Sequence, residues 1–167
     1  PDSGNPRDQT STVYESIIPR GFMGWGNIST LGFSLAAAIA AKLAYPERQC
    51  VNITGEGGVG YMMGNFEALV RYNIGVTTIH INNGGFAGYG PGFWGNGHDP
   101  YTCKVLDHSV ADMSEAVKAM GYYAEHITEP SEIIPALKRA FDENAHNRPA
   151  YLEFICCLLY TSDAADE

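Results

Sequence analysis

Four short runs rich in β-branched and aromatic residues, QCVNIT, GVTTIHI, YYAEHI and PAYLEFI, recur along the chain, with segments of helical spacing or helix-capping residues between them. Strands that alternate with helices in this way form βα units, whose consecutive strands lie parallel and whose helices cover the sheet. The alternation therefore predicts an α/β fold, a doubly wound parallel sheet with helices on both faces. At 167 residues, 45% of them apolar, the chain is long enough for one domain with a substantial core.

Boundary signals refine this reading. Residues 1–28 are rich in Pro, Gly, Asn and Ser and read as an irregular lead-in. Ser29 or Thr30 is placed to cap a helix running to about Ala44, whose many alanines permit close packing and which Tyr45-Pro46 ends. Met63, Phe66, Leu69 and Val70 have helical spacing. Asp112 is placed to cap a helix that Gly121 closes, and Pro130 to open another that runs to about Asn144. Between Gly84 and Pro100 lie seven glycines and two prolines, together with Phe86, Tyr89, Phe93 and Trp94. That composition suits a long surface loop, and such loops commonly carry function.

Composition narrows the partner classes. A formal net charge of −9 with no basic cluster argues against nucleic acid. The most apolar stretch, LGFSLAAAIAAKLAY, is interrupted by Ser34 and Lys42 and falls short of the roughly 18 residues that suggest a membrane span. Cys50, Cys103, Cys156 and Cys157 show no C-x-x-C spacing, so reduced thiols in the cytoplasm are expected, and no secretory signal is visible. The last segment, CLLYTSDAADE, matches the in-frame translation of a transposase-type sequencing adapter. Residues 157–167 are therefore expected to be non-native, leaving 1–156 as the domain within a fragment cut at both ends. Removing the three acidic residues Asp163, Asp166 and Glu167 takes the charge from −9 to −6, which stays acidic.

The stretch after the first run holds two competing signals. Gly55, Gly57 and Gly60 spell G-x-G-x-x-G, the dinucleotide fingerprint. A Rossmann site also needs an acidic residue about 20 positions on, at the end of the second strand, to take the ribose hydroxyls. Here that strand ends at Asn82-Asn83, and no Asp or Glu occurs between Glu67 and Asp99. The second signal is Gly55-Glu56-Gly57 followed, after 24 intervening residues, by Asn82-Asn83. Two adjacent strands end at the carboxyl edge of a parallel sheet, where such folds bind ligands. Glu56 and Asn83 would then offer a carboxylate and a carboxamide oxygen, joined by a carbonyl from the following loop, the hard donors that Mg²⁺ prefers. The N–H groups of Gly57 and Gly58 could approach phosphate oxygens, since no side chain intervenes.

With G-E-G and I-N-N at this spacing, and with STLGFSLAAAIAAKLA upstream, the chain resembles thiamine diphosphate-dependent enzymes of the acetolactate synthase and 2-oxo acid decarboxylase type. The resemblance is to their C-terminal, diphosphate-binding domain and covers nearly all of residues 1–156. Their motif is G-D-G followed by about two dozen residues and N-N, so Glu56 stands where the family has aspartate. The resemblance implies Glu56, Asn83 and the main-chain carbonyl of Gly85 as Mg²⁺ ligands. It implies Gly55, Gly57, Gly58, Asn82, Gly85 and Phe86 as cofactor-binding residues, with Leu31 as the apolar prop beneath the cofactor. Residues 86–94 would belong to a loop that closes over cofactor and substrate.

The resemblance further implies that the cofactor supplies the chemistry, drawing electrons from a 2-oxo acid as carbon dioxide leaves. A decarboxylase or carboligase is the leading expectation. A lyase of the 2-hydroxyacyl-CoA or oxalyl-CoA decarboxylase type, taking an acyl-CoA substrate, is the alternative, and a Rossmann domain a more distant one. The activating glutamate comes, in the family, from a pyrimidine-binding domain, usually of a neighbouring subunit. The chain alone is thus expected to be inactive and the intact enzyme a homodimer or tetramer. Mg²⁺ tolerates little deviation from octahedral geometry, so the extra methylene of Glu56 either shifts the backbone or weakens the site. No catalytic residue is expected within the chain; His80 reads as a packed strand residue, His126 and His146 lie near element ends, and His98 and His108 flank the closing loop.

Overall fold

The four runs form the four parallel strands of one sheet, with β1 at Val51–Thr54, β2 at Thr77–Asn82, β3 at Tyr123–Ile127 and β4 at Ala150–Ile155. The computed structural model describes residues 1–85 and 111–156, and elements are numbered along these. The strand order is β1-β2-β4-β3. Register pairs Val51 with Thr77, Thr77 with Ala150 and Tyr123 with Ala150, so all four strands begin level.

This order dictates where the helices go. A right-handed crossover that moves outward across a sheet passes over one face, and one that moves back passes over the other. The chain moves outward from β1 to β2 through α3 (Glu56–Met62) and α4 (Phe66–Arg71), and α5 (Met113–Lys118) lies on its way to β3. It then turns back through α6 (Ile133–Ala145) to insert β4 between β2 and β3. Successive residues of β4 record the two faces. Tyr151 packs in the larger core with Val59, Phe66, Leu69, Met113 and Val117, while Ala150 and Leu152 pack with Ala136 and Ala140 of α6. The fold is a doubly wound α/β sheet.

The structure corrects several boundaries. The lead-in is not wholly irregular, because Asn5–Val13 forms α1, which starts behind Gly4 with Pro6 in its first turn. The helix expected behind Ser29 or Thr30 begins later, as α2 (Phe33–Ala44), with Gly32 at its N-cap and no side-chain cap. In place of that cap, the Gly32 N–H donates to the carboxylate of Asp2. Residues 63–65 form a 3-10 turn before α4, and Pro130–Glu132 another before α6. Asp112 caps α5 as read, its side chain accepting from the Glu115 N–H. No helix among the described residues is long and apolar enough to cross a membrane.

The amino edge of the sheet is fastened from outside. Asn144 of α6 is 2% exposed; its Oδ1 accepts from Gln49 and from the Thr77 hydroxyl, and its Nδ2 donates to the Arg148 carbonyl at 2.9 Å. Removing the amide strands the buried Thr77 hydroxyl, and such orphaned groups cost about 1–3 kcal/mol. Asn144→Ala should therefore lower stability in urea denaturation by about 2 kcal/mol. Because this edge lies opposite the strand ends that carry Glu56 and Asn83, ligand binding there should be unchanged.

Candidate functional site

The site grows from the carboxyl ends of β1 and β2, which lie side by side, with Thr54 level with His80. β1 stops at Gly55, an extended residue (φ −110°, ψ −175°), and Glu56 opens α3 directly. Glycine is a poor helix former, so the glycines of GEGGVG do not favour this helix on propensity. It is held by packing, since Glu56, Gly57, Gly58 and Val59 are all buried. Gly55 supplies no side-chain cap, so the first-turn N–H groups of Gly57 and Gly58 have no intrahelical partner.

β2 runs to Asn82 and then turns sharply. Gly84 sits at φ +79°, a left-handed conformation that glycine adopts without strain. Across the gap, Glu56 Oε1 accepts from the Asn83 N–H and, at 2.9 Å, from the Gly84 N–H. Asn82 Oδ1 also accepts from Gly84 N–H at 3.0 Å, and Asn83 Oδ1 accepts from Gly85 N–H at 3.3 Å. The turn is thus a small nest of amides closed around the Glu56 carboxylate. Among the residues read as site residues, Glu56, Asn82, Asn83 and Gly85 meet here, and Gly57 and Gly58 follow in the first turn of α3.

Leu31 lies half-buried in the turn before α2. A Cβ on its neighbour Gly32 would come within 2.6 Å of the Met62 side chain, so this turn flanks α3. Phe86, the loop it begins, His98 and His108 lie outside the described residues. His80 is fully buried and bonds Tyr151 Oη through Nδ1 at 2.7 Å, and burial pushes its imidazole down to about 3. It is neutral and buried beneath the site. His146 caps α6 and bonds the Asp142 carbonyl.

Two residues escaped the sequence reading. Asp2 is fully buried, and its carboxylate accepts from Gly32 N–H and the Thr54 hydroxyl. A Cβ on Gly58 would stand 1.7 Å from Asp2 Oδ2 and 2.3 Å from Thr54 Oγ1. Gly58 thus lacks a side chain because the chain itself fills that space; no sequence signal marked Asp2. Glu153 is also fully buried, bonded to Asn82, and its signal was available as a charged residue within the apolar run of β4.

Electrostatically, Glu56 is the outlier of the site. It is 5% exposed and makes no salt bridge among the described residues. Burial pushes its carboxyl up to about 7 from the ordinary 4.5, against the opposing pull of the N–H groups of Glu56, Asn83, Gly84 and Gly85. Since the folded-state value lies above the unfolded one, the stability it contributes is complete below 4.5 and is lost as pH rises through about 7. A shift of this size corresponds to about 3 kcal/mol. Compared with Glu56→Gln, the metal-free chain should lose about that much between pH 4.5 and pH 8, while buried His80, whose lowered value favours the fold as pH rises toward 6.5, acts equally in both proteins. Urea denaturation in chelator across this window checks it; coincident profiles for the two proteins would refute the raised carboxyl.

Comparison with known proteins fits this geometry. Residues 2–154 match the family described as thiamine pyrophosphate enzyme, C-terminal TPP binding domain. The chain is 32% identical over 146 residues to the acetolactate synthase large subunit IlvG of Mycobacterium tuberculosis, covering 84% of this chain and 25% of that protein. It is 33% identical over 160 residues to a 2-hydroxyacyl-CoA lyase of Arabidopsis thaliana, covering 92% of this chain and 27% of that one. Among solved structures it is similar to a thiamine diphosphate-dependent 4-hydroxybenzoylformate decarboxylase of Rhodococcus jostii RHA1, with a TM-score of 0.64 and 26% identity over 78% of this chain and 24% of that chain. The chain spans about a quarter of the length of the curated relatives named here.

Proposed function

The chain belongs to the thiamine pyrophosphate (thiamine diphosphate) enzymes, as their C-terminal cofactor-binding domain, and from this premise we propose that it is the Mg²⁺ and thiamine diphosphate-binding domain of a 2-oxo acid decarboxylase or carboligase of the acetolactate synthase kind. The observation that carries the reading is the meeting of Glu56 with the Asn83-Gly84-Gly85 turn at two adjacent strand ends. The donor set fits the metal. A carboxylate, a carboxamide and a main-chain carbonyl are hard oxygen ligands, and Mg²⁺ commonly keeps the remaining positions for phosphate and water.

In this reading Glu56, Asn83 and the Gly85 carbonyl hold the metal. The first-turn N–H groups of Gly57 and Gly58, without intrahelical partners, take diphosphate oxygens, and Gly55 and Asn82 shape the two ends of that pocket. Leu31 lies beneath the cofactor, and Phe86 is counted among the cofactor-binding residues. When bound, thiamine diphosphate supplies an electron sink for cleaving the bond beside the carbonyl carbon of a 2-oxo acid. The protein's part is to orient the cofactor and exclude water, so no side chain here is assigned as a catalyst.

A pyrimidine-binding domain completes the site, contributed by a neighbouring subunit of a homodimer or tetramer in the cytoplasm, and the isolated chain has no turnover. A 2-hydroxyacyl-CoA lyase-like activity is the second reading, favoured by the likeness to the Arabidopsis lyase over 92% of the chain. The dinucleotide reading is weaker, since β2 ends in Asn82-Asn83 where a ribose-binding acid is needed.

Calorimetric titration of the full-length enzyme with thiamine diphosphate and Mg²⁺, against NAD as the competing ligand, tests the proposal. Metal-dependent binding of thiamine diphosphate and none of NAD is expected; the reverse would sink it. Glu56→Gln should abolish the metal dependence, whereas Glu56→Asp, which keeps the carboxylate, should retain it.

A further inference from the structure

Three residues of metal-ligating type, Asp112, His126 and Glu153, each bring one ligand atom within 4.8 Å of the others. The contacts of Glu153 give this cluster a different meaning. Glu153 Oε1 accepts from Asn82 Nδ2 at 2.7 Å, and Oε2 accepts from the Ser114 N–H at 2.9 Å, with His126 Nδ1 3.4 Å away. Both oxygens are already engaged by N–H donors. The carboxylate is a hydrogen-bond hub between β4, β2 and the start of α5.

The bond to Asn82 reaches the candidate site through one amide. Asn82 Nδ2 faces Glu153, and Asn82 Oδ1 accepts from the Gly84 N–H that also bonds Glu56. A carboxamide has one accepting and one donating end, and its partners here require a single orientation. Glu153 accepts only, so it keeps the donating end toward itself and the accepting end toward Gly84. We infer that Glu153 is a positioning residue for the metal-binding turn, fixing Asn82 so that Asn83 and Gly85 present their oxygens to the cation. This inference rests on the proposed metal-binding role of that turn.

Replacing Glu153 by its isosteric amide makes the consequence specific. In Glu153→Gln, one end of the new amide is a donor, and it must face either Asn82 Nδ2 or Ser114 N–H, both donors. Relief by rotation of Asn82 would turn its NH₂ toward Gly84 N–H and break the turn. Exchanging the two groups restores each of the pairings named above. In Glu153→Gln with Asn82→Asp, the amide at position 153 accepts from Ser114 N–H and donates to the carboxylate at position 82. The two oxygens of that carboxylate then accept, one from the amide and the other from Gly84 N–H. The exchange also conserves total charge.

Calorimetric titration of full-length wild type, Glu153→Gln, Asn82→Asp and the exchanged double variant with thiamine diphosphate and Mg²⁺ tests this. Thermal midpoints without metal or cofactor monitor the fold. Outer hydrogen-bond partners of metal ligands typically contribute about 10- to 100-fold in affinity, so a loss of that size is expected in Glu153→Gln, and the double variant is expected to bind more tightly than either single variant, Asn82 being itself a proposed pocket residue. Wild type that does not bind would fail the proposed function itself. If wild type binds, a folded Glu153→Gln with unchanged affinity overturns the positioning role, as does a folded double variant that fails to bind more tightly than both single variants. Should Glu153→Gln not fold, the double variant is compared with Asn82→Asp alone: folded and binding more tightly supports the role, and unfolded or no tighter overturns it.

Discussion

The hydrogen bonds from the Asn83 and Gly84 amides to the Glu56 carboxylate join the first residue of a helix to the turn after the neighbouring strand. The arrangement of the carboxyl edge depends on this contact. A parallel ladder sets the spacing of two strands but leaves their ends free to diverge, because each continues into a different connection. Glu56 removes that freedom by binding two amides of the opposite connection at once. Gly84 supplies the left-handed backbone that aims those amides inward, and Asn82 closes the turn from its other side. The metal ligands proposed for this edge are therefore held by contacts among themselves.

Beneath this edge the sheet carries polar residues where an apolar face would be simpler. Asn52, Thr54, Thr78, His80, Asn82, Tyr151 and Glu153 are all buried. Buried polar groups destabilise a fold unless they find partners, and most of these do. Asn52 Nδ2 donates to Thr78, Thr54 to Asp2, Asn82 to Glu153, and Tyr151 bonds His80. The period of side chains along a strand is two, so slipping β2 or β4 by one residue would move its members to the α6 face and break these pairs. This layer makes the strand register specific. The two strands whose ends carry Glu56 and Asn83 are thereby held in one alignment.

How far the sequence reveals this follows from where each signal resides. The strands were legible because β-branched runs alternate with helices, and the Asp112 cap because its donor lies three residues away in the chain. Glu56, Asn82 and Asn83 were legible as a spaced pair of short motifs at two predicted strand ends. Illegible features are those whose partner is distant. The start of α2 depends on Asp2, 30 residues earlier, and Glu153 reaches Asn82 across a separation of 71 residues. Helix α3 opposes local propensity, and tertiary burial of Glu56 through Val59 overrides it. α1 lacked any apolar stripe to announce it, since Pro6 is its only buried residue.

The substitution of glutamate in a motif that carries aspartate elsewhere in the family has a physical reading in this structure. One added methylene extends a side chain by about 1.5 Å, and here the carboxylate at the end of that reach meets the amides of the facing turn. Those amides compensate its charge only in part, for burial still holds the carboxyl near 7. A group left in that condition has electrostatic stabilisation to gain from a nearby cation, and no salt bridge among the described residues supplies it. A divalent ion beside Glu56 would favour the charged carboxylate over the protonated one, and the attraction would act in a buried setting where solvent screens it weakly. The amide nest and the proposed metal are therefore complementary. The first holds the carboxylate in place, and the second supplies the positive charge that the buried site lacks.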